Sequence, residues 1–325
     1  MTLPDAAQPL SADDAATAFD AILDGAVADD DIRDFLLTIS LRDESAVEIA
    51  AAVRAIRARM IGVSAPEGAI DVCGTGGDMS NSLNVSTAVA IVVAACGVPV
   101  AKHGNRAASS QAGGADTLEA LGLDLTRASA TAEATLADLG IAFLFAQRHH
   151  PALGRLAPIR KSINRRTIFN LTGPACNPAR VTRQLIGVAR PDFLSVYAEA
   201  LAMLGAEGAM LVAGDEPLDE LSVAGPSTVL RVGSAVVRVT PEDAGLATYP
   251  RTALRGGSAA VNAAALRALL LGAEGAYRDA VLFNAAGALI VAGRASDWRE
   301  GVEEAAEAID RGLAKTLLDC WIAYR

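Results

Sequence analysis

The chain has 325 residues, with 38 acidic side chains against 28 basic ones and a formal net charge of −10. That length is enough for one large or two modest domains with buried cores. The negative balance argues against duplex DNA or an anionic membrane surface as the main partner, and leaves room for a local basic pocket that takes a phosphorylated small molecule.

Residues 12–60 read as helices. Phe19, Ile22 and Leu23, then Ile32, Phe35, Leu36 and Ile39, then Val47, Ile49, Val53 and Ile56 recur at helical spacing. Ser11 ahead of Asp13 and Asp14 marks one helix start, and Asp29 to Asp31 another. The expected unit is a small helical domain over residues 1–65, its apolar stripes serving as core or as a dimer contact. The polar, acidic first residues lack the basic and apolar regions of a signal peptide.

From Pro66 the pattern changes to strands alternating with helices, which predicts an α/β domain over residues 66–325 with a mainly parallel central sheet. AIDVCGTGGD is a strand running into glycines, VSTAVAIVVAACG a helix, and VPVAKHGN a second strand ending in a polar turn. The apolar run from Ala88 to Ala101 is too short to span a membrane and reads as a buried helix leading into that strand. IAFLFA, QLIGVA and GAMLVAGDE continue the strands, Val229 to Thr240 suggests an antiparallel addition, and part of 151–182 is expected to rejoin the helical region. Cys73, Cys96, Cys176 and Cys320 are scattered without CxxC spacing, so they predict neither a zinc site nor a disulfide framework and fit a reducing cytoplasm.

Four segments carry chemistry. The loop from Asp71 to Asp78, with Gly74, Gly76 and Gly77, can aim backbone N–H groups at a phosphate, or can be a tight turn without a ligand. Its spacing matches neither a GxxxxGK loop nor GxGxxG. Asn84, Val85, Ser86 and Thr87 open the next helix, where the hydroxyls serve either as caps or as phosphate and metal contacts. Lys102 to Ser110 lies where a second strand ends, the edge at which open α/β sheets bind ligands, and reads as an anion pocket. Asp219 and Glu220 are either solvated or the hard oxygen ligands of a magnesium ion.

DVCGTGGD, NVST, KHGNRAASS, GADTLEALG, HHPA, RTIFNLTGP, LDELS, GGSAAVNA and LFNAAGALIVAG follow one another in an order that resembles the anthranilate phosphoribosyltransferases over nearly the whole chain. That resemblance implies transfer of the phosphoribosyl group of phosphoribosyl pyrophosphate (PRPP) to the amine of anthranilate, a step of tryptophan biosynthesis, with Mg2+ as cofactor. It implies that Gly74, Gly77, Asp78, Ser82, Asn84, Val85, Ser86, Thr87, Lys102, His103, Gly104, Asn105, Arg106, Ala107, Ala108, Ser109, Ser110 and Gly114 surround the donor. Gly74, His103, Asn105, His150, Arg160 and Gly173 would meet the acceptor, with Arg160 on its carboxylate. Ser86, Asp219 and Glu220 would hold the metal, no side chain would act as a covalent nucleophile, and Cys73 would be a packing residue.

The resemblance also implies a homodimer in the cytoplasm, with no nucleic-acid or membrane partner. Gly154, Asn164, Thr172 and Ala175 depart from the family pattern and are expected to gather near the acceptor. They leave open a paralogue that uses another aromatic or amine acceptor. A non-catalytic binding paralogue is the remaining alternative, and the retained Ser86, Asp219 and Glu220 count against it.

Overall fold

The computed structural model describes residues 1–325 except 79, 108–110 and 217. The donor expectations at Ala108, Ser109 and Ser110 therefore lie outside the described residues.

Three helices, Ala12–Leu23, Asp29–Arg42 and Ala46–Arg59, open the chain. Ser11 Oγ accepts from the N–H of Asp14 at 3.1 Å, as the sequence suggests. The third helix starts with a capping box between Ser45 and Glu48. Glu48 is fully buried yet satisfied, because it also accepts from Arg42 and from the N–H of Leu10. The stretch after Pro151 folds into short helices, of which Ala157–Ile163 and Ile168–Ala175 return to this bundle. Phe19 meets Phe35 and Phe169 edge-on, each at 6.1 Å between ring centroids, a geometry that adds to the burial of the rings.

The remainder is built on one seven-stranded sheet: β1 (Ile70–Gly74), β2 (Val100–Gly104), β3 (Ile141–Phe145), β4 (Arg183–Gly187), β5 (Gly208–Gly214), β6 (Ser227–Arg231) and β7 (Val236–Val239). The order is β3-β2-β1-β4-β5-β6-β7. The first five strands are parallel, and β6 and β7 form the antiparallel addition. Side chains alternate across the sheet. Val72, Leu185, Met210 and Val212 pack under the helices Val85–Ala95 and Ala276–Ala292, while Ile186, Leu211 and Ala213 join the core of the helical bundle. Among the described residues no helix is long and apolar enough to cross a membrane.

The chain leaves β1 toward β2 and β3 on one side, then returns to β4 and β5 on the other. The order therefore reverses between β1 and β4, and the crevice beyond their carboxyl ends is where such sheets bind ligands. Gly74 of β1 and Gly187 of β4 are paired at that position.

Candidate active site

The two paired glycines make room for Asp219. A Cβ on Gly74 would lie 2.8 Å from Asp219 Cγ, and one on Gly187 would collide with the backbone of Asp219 itself. The segment after β5 is thus threaded into the mouth of the crevice. Beyond β1 the chain turns through Gly76 and Gly77, at φ +68° and +79°, a left-handed pair that only glycine adopts without cost. The N–H of Gly76 donates to Asp219 Oδ2 at 2.7 Å, and the N–H of Thr75 to the Gly187 carbonyl at 2.9 Å.

Three carboxylates, Asp78, Asp219 and Glu220, line this mouth. Loss of water, reinforced by Asp78, pushes the Asp219 carboxyl up to about 7. Burial together with Asp219 and Asp78 drives Glu220 well above its ordinary range. Opposing them from below is Lys102, itself buried, whose Nζ donates to the Val72 carbonyl at 2.8 Å and to Ser86 Oγ at 3.3 Å. Burial lowers its pKa, against the fields of Asp71 and, more weakly, Glu220.

Asp219 and Glu220 are buried side by side with Asp78 close to both, so each disfavours the charge of the others, a repulsion that a divalent cation would relieve. Ser86 Oγ, Asp219 and Glu220 line the same cleft and supply hard oxygen donors. Among the described residues no three His, Cys, Asp or Glu side chains are grouped to hold an ion unaided. The residues present fit an ion whose shell is completed by substrate phosphate and water.

The other donor residues surround this point in a cleft of about 740 Å³ that Gly74, Gly77, Asp78, Ser82, Asn84, Ser86, Lys102 to Ala107 and Gly114 all line. Asn84 precedes the helix Val85–Ala95. Its Oδ1 accepts from Thr117 and, at 2.8 Å, from Asn262, and its carbonyl accepts from Tyr277 at 3.0 Å. Val85 points into the hydrophobic core, so what it offers a ligand is its backbone. Thr87 is also buried, and its hydroxyl has no partner among the described residues. Gly114 lies beside it, where a Cβ would come 3.1 Å from Thr87 Oγ1. Arg106 lines the cleft, but its guanidinium is engaged by Asp116 at 2.8 Å and Glu119 at 2.5 Å and lies 5.6 Å from the Phe145 ring centre. Asp116 also accepts from the N–H groups of Ala107 and Gly113.

On the acceptor side, the backbone N–H of His103 is held by buried Asp71 at 3.1 Å, and Asn177 bonds the other oxygen of that carboxylate at 2.8 Å. His103 Nδ1 lies 3.1 Å from the Gly173 carbonyl, and its Nε2 lies 3.1 Å from Nε2 of His150. A carbonyl only accepts, so Nδ1 of His103 carries the hydrogen and its Nε2 accepts from His150. Burial, helped by each other's presence, pushes His103 down to about 3, and burial with nearby His149 pushes His150 down to about 4. The pair is neutral at physiological pH. His103 and Asn105 line the cleft, whereas His150 and Gly173 stand behind His103 and outside the cleft wall.

Arg160 lines the cleft as expected, beside residues that the sequence reading left without a role: Lys161, Arg165, Arg166 and Asn170. Arg166 stands 3.7 Å from the position of a Cβ on Gly77. Burial lowers its pKa while the fields of Asp219, Glu44 and Asp78 act against that. The cluster of Arg160, Lys161, Arg165 and Arg166 is visible in the sequence as a dense run of cations, which is the signal that could have marked it. Of the four acceptor-side departures, only Asn164 reaches the cleft; Ala112 and Gly114, which depart from the pattern in the donor half, also line it. Thr172 and Ala175 are buried in the helix Ile168–Ala175, and Gly154 is exposed outside the cleft.

Residues 66–315 match the glycosyl transferase family a/b domain, and residues 5–60 its helical bundle domain. Over 324 residues the chain is 65% identical to the anthranilate phosphoribosyltransferase of Novosphingobium aromaticivorans, covering 99% of this chain and 98% of that one. The chain belongs to the anthranilate phosphoribosyltransferase family. The crystal structure of the family member from Thermus thermophilus superimposes with a TM-score of 0.92 at 41% identity, over 98% of this chain and 96% of that one. The Saccharomyces cerevisiae member in complex with PRPP and Mg aligns at 0.89 and 29% identity, over 97% and 93%.

Proposed function

We propose that the chain transfers the phosphoribosyl group of PRPP to anthranilate with Mg2+, releasing pyrophosphate, in tryptophan biosynthesis. The observation that carries the reading is the cleft at the β1–β4 switch point, where the Gly76–Gly77 turn, the start of the helix Val85–Ala95 and the Asp219–Glu220 pair converge. A metal at Ser86, Asp219 and Glu220 would neutralise the charge that grows on the departing pyrophosphate. The chain's own part is to bind and orient. Backbone N–H groups and Lys102 face the phosphate side, and Arg160 provides a cation for the acceptor carboxylate. Neutral His103 and His150 cannot repel the amine, which is itself a nucleophile at neutral pH, so positioning dominates over base catalysis.

Anthranilate is favoured over another acceptor because three of the four unusual residues lie away from the cleft wall. The division into residues 1–65, joined by part of 151–182, and 66–325 belongs to the same reading. So does a homodimer, for which Ala12, Ala16, Val47, Ala51, Ala55 and Ala58 form, with Asp20 and Arg54, a groove across two helices of the bundle. All four cysteines are free, which suits the cytoplasm.

The test is loss of anthranilate fluorescence with PRPP and Mg2+. Asp219→Asn/Glu220→Gln is expected to lower the rate by roughly three orders of magnitude, the several kcal/mol a metal contributes to a charged transition state. Wild-type protein that binds PRPP but leaves anthranilate unconsumed would overturn the acceptor assignment. A separate arm concerns Arg160→Ala, expected to raise KM for anthranilate by about tenfold or more while KM for PRPP stays within about twofold, as loss of one charge-assisted contact predicts.

A further inference from the structure

Asn284 lies in the middle of the helix Ala276–Ala292, whose other buried residues are all apolar or glycine. It is 3% exposed, and a buried amide is costly unless its polar atoms are matched. Here they are matched around a single residue. Oδ1 accepts from the N–H of Leu221 at 2.9 Å, and Nδ2 donates to the carbonyl of Leu221 at 3.0 Å and to that of Ala280 at 2.9 Å. The amide thus grips both backbone groups of Leu221 as a neighbouring strand would. Three residues on, Gly287 faces the same way, and a Cβ there would stand 3.3 Å from Leu221 Cδ1. Asn284 and Gly287 together seat the backbone and side chain of Leu221, the residue that directly follows Asp219 and Glu220. Asn284 also borders, with Ser86, Asp219 and Glu220, a void of about 10 Å³ beneath the carboxylates.

We infer that Asn284 is a positioning residue for the magnesium site: it fixes the Leu221 peptide so that Asp219 and Glu220 keep the spacing a divalent cation needs. The inference rests on the reading that those carboxylates bind magnesium. It assigns a purpose to the LFNAAG segment, which otherwise reads as a core helix with a misplaced amide.

Mg2+ is titrated calorimetrically, with PRPP present and against a PRPP-only blank, into the full-length wild type, Asn284→Leu, Asn284→Ser and Leu289→Ala, and thermal unfolding is recorded for each. Leu289 is fully buried on the same helix, so its truncation loosens packing while removing neither Asn284–Leu221 hydrogen bond. Both Asn284 variants are expected to bind Mg2+ about 10–100-fold more weakly, the usual effect of removing a residue that orients a metal ligand. Leu289→Ala is expected to lose stability and keep wild-type Mg2+ affinity. If Asn284→Leu does not fold, the smaller Asn284→Ser decides the matter. Wild-type Mg2+ affinity in the Asn284 variants, or an equal loss in Leu289→Ala, would overturn the inference alone. A wild type that binds no Mg2+ beyond the PRPP-only blank would overturn the metal reading and this inference with it, and that result is seen before any variant is compared.

Discussion

Gly187→Ala is expected to lower kcat/KM by roughly three orders of magnitude and to weaken the response to Mg2+, although it adds one methyl group to a residue outside the cleft lining. The added carbon would come within 1.5 Å of the Asp219 carbonyl oxygen and 2.3 Å of its carbonyl carbon. One side must move. Gly187 is held in register between β1 and β5, through its pairs with Gly74 and Val212, so the cost of shifting it falls on three strands. Asp219 lies in a connecting segment and yields first. Displacing a catalytic group by about 1 Å is enough to cost about a hundredfold, and here two adjacent carboxylates move together. Steady-state rates across a Mg2+ titration, with thermal unfolding alongside, check this. Gly154→Ala serves as the comparison, because nothing lies within 4 Å of a Cβ there; it should leave the rate unchanged and not weaken its helix. A Gly187→Ala protein with wild-type rate and Mg2+ response would show that Asp219 is not held where the chemistry needs it.

That glycine also shows where the sequence stopped being readable. QLIGVA reads correctly as a strand, but the residue that requires a glycine there lies 32 positions downstream, and no local pattern connects the two. What local pattern does encode came through well. Glycines after β1, hydroxyls at the next helix start and a cationic turn after β2 are short-range features, and the parallel strand rhythm brings their ends to one edge. The Val229–Thr240 addition was legible for the same reason.

Long-range pairing was not. Arg106 sits in the cationic turn and reads as a free cation, yet Asp116 and Glu119, both within the quoted GADTLEALG segment, engage its guanidinium. His150 is separated from His103 by 47 residues, so their contact could only come from the fold. By their place in a motif, the departures at Gly154, Thr172 and Ala175 read as acceptor-side changes. Burial or exposure sets those side chains apart from the cleft, which sequence distance alone could not reveal.

The His103–His150 contact carries a second large effect, this time on stability. Both imidazoles are held neutral by burial, at about 3 and about 4, whereas in an unfolded chain each would titrate near 6.5. A base whose folded pKa is depressed leaves the unfolded state with more bound protons between those values. Stability therefore rises with pH through this window and is lost as pH falls below about 6.5. At pH 5 the unfolded form gains about 2 kcal/mol per histidine, or about 4 kcal/mol for the pair.

Carboxyls raised by burial, Asp71, Asp219 and Glu220 among them, act with the opposite sign, because there the folded state takes up the protons. The total pH dependence of the protein is a balance of the two, so the histidine contribution has to be isolated by difference. Denaturant unfolding at pH 7 and pH 5 is expected to show a change about 4 kcal/mol larger in the wild type than in His103→Gln/His150→Gln, whose amides do not titrate. An equal change in both proteins would mean that the imidazoles take up protons without unfolding. Burial would then not depress the two imidazoles, and the pair would become charged in the folded protein on mild acidification.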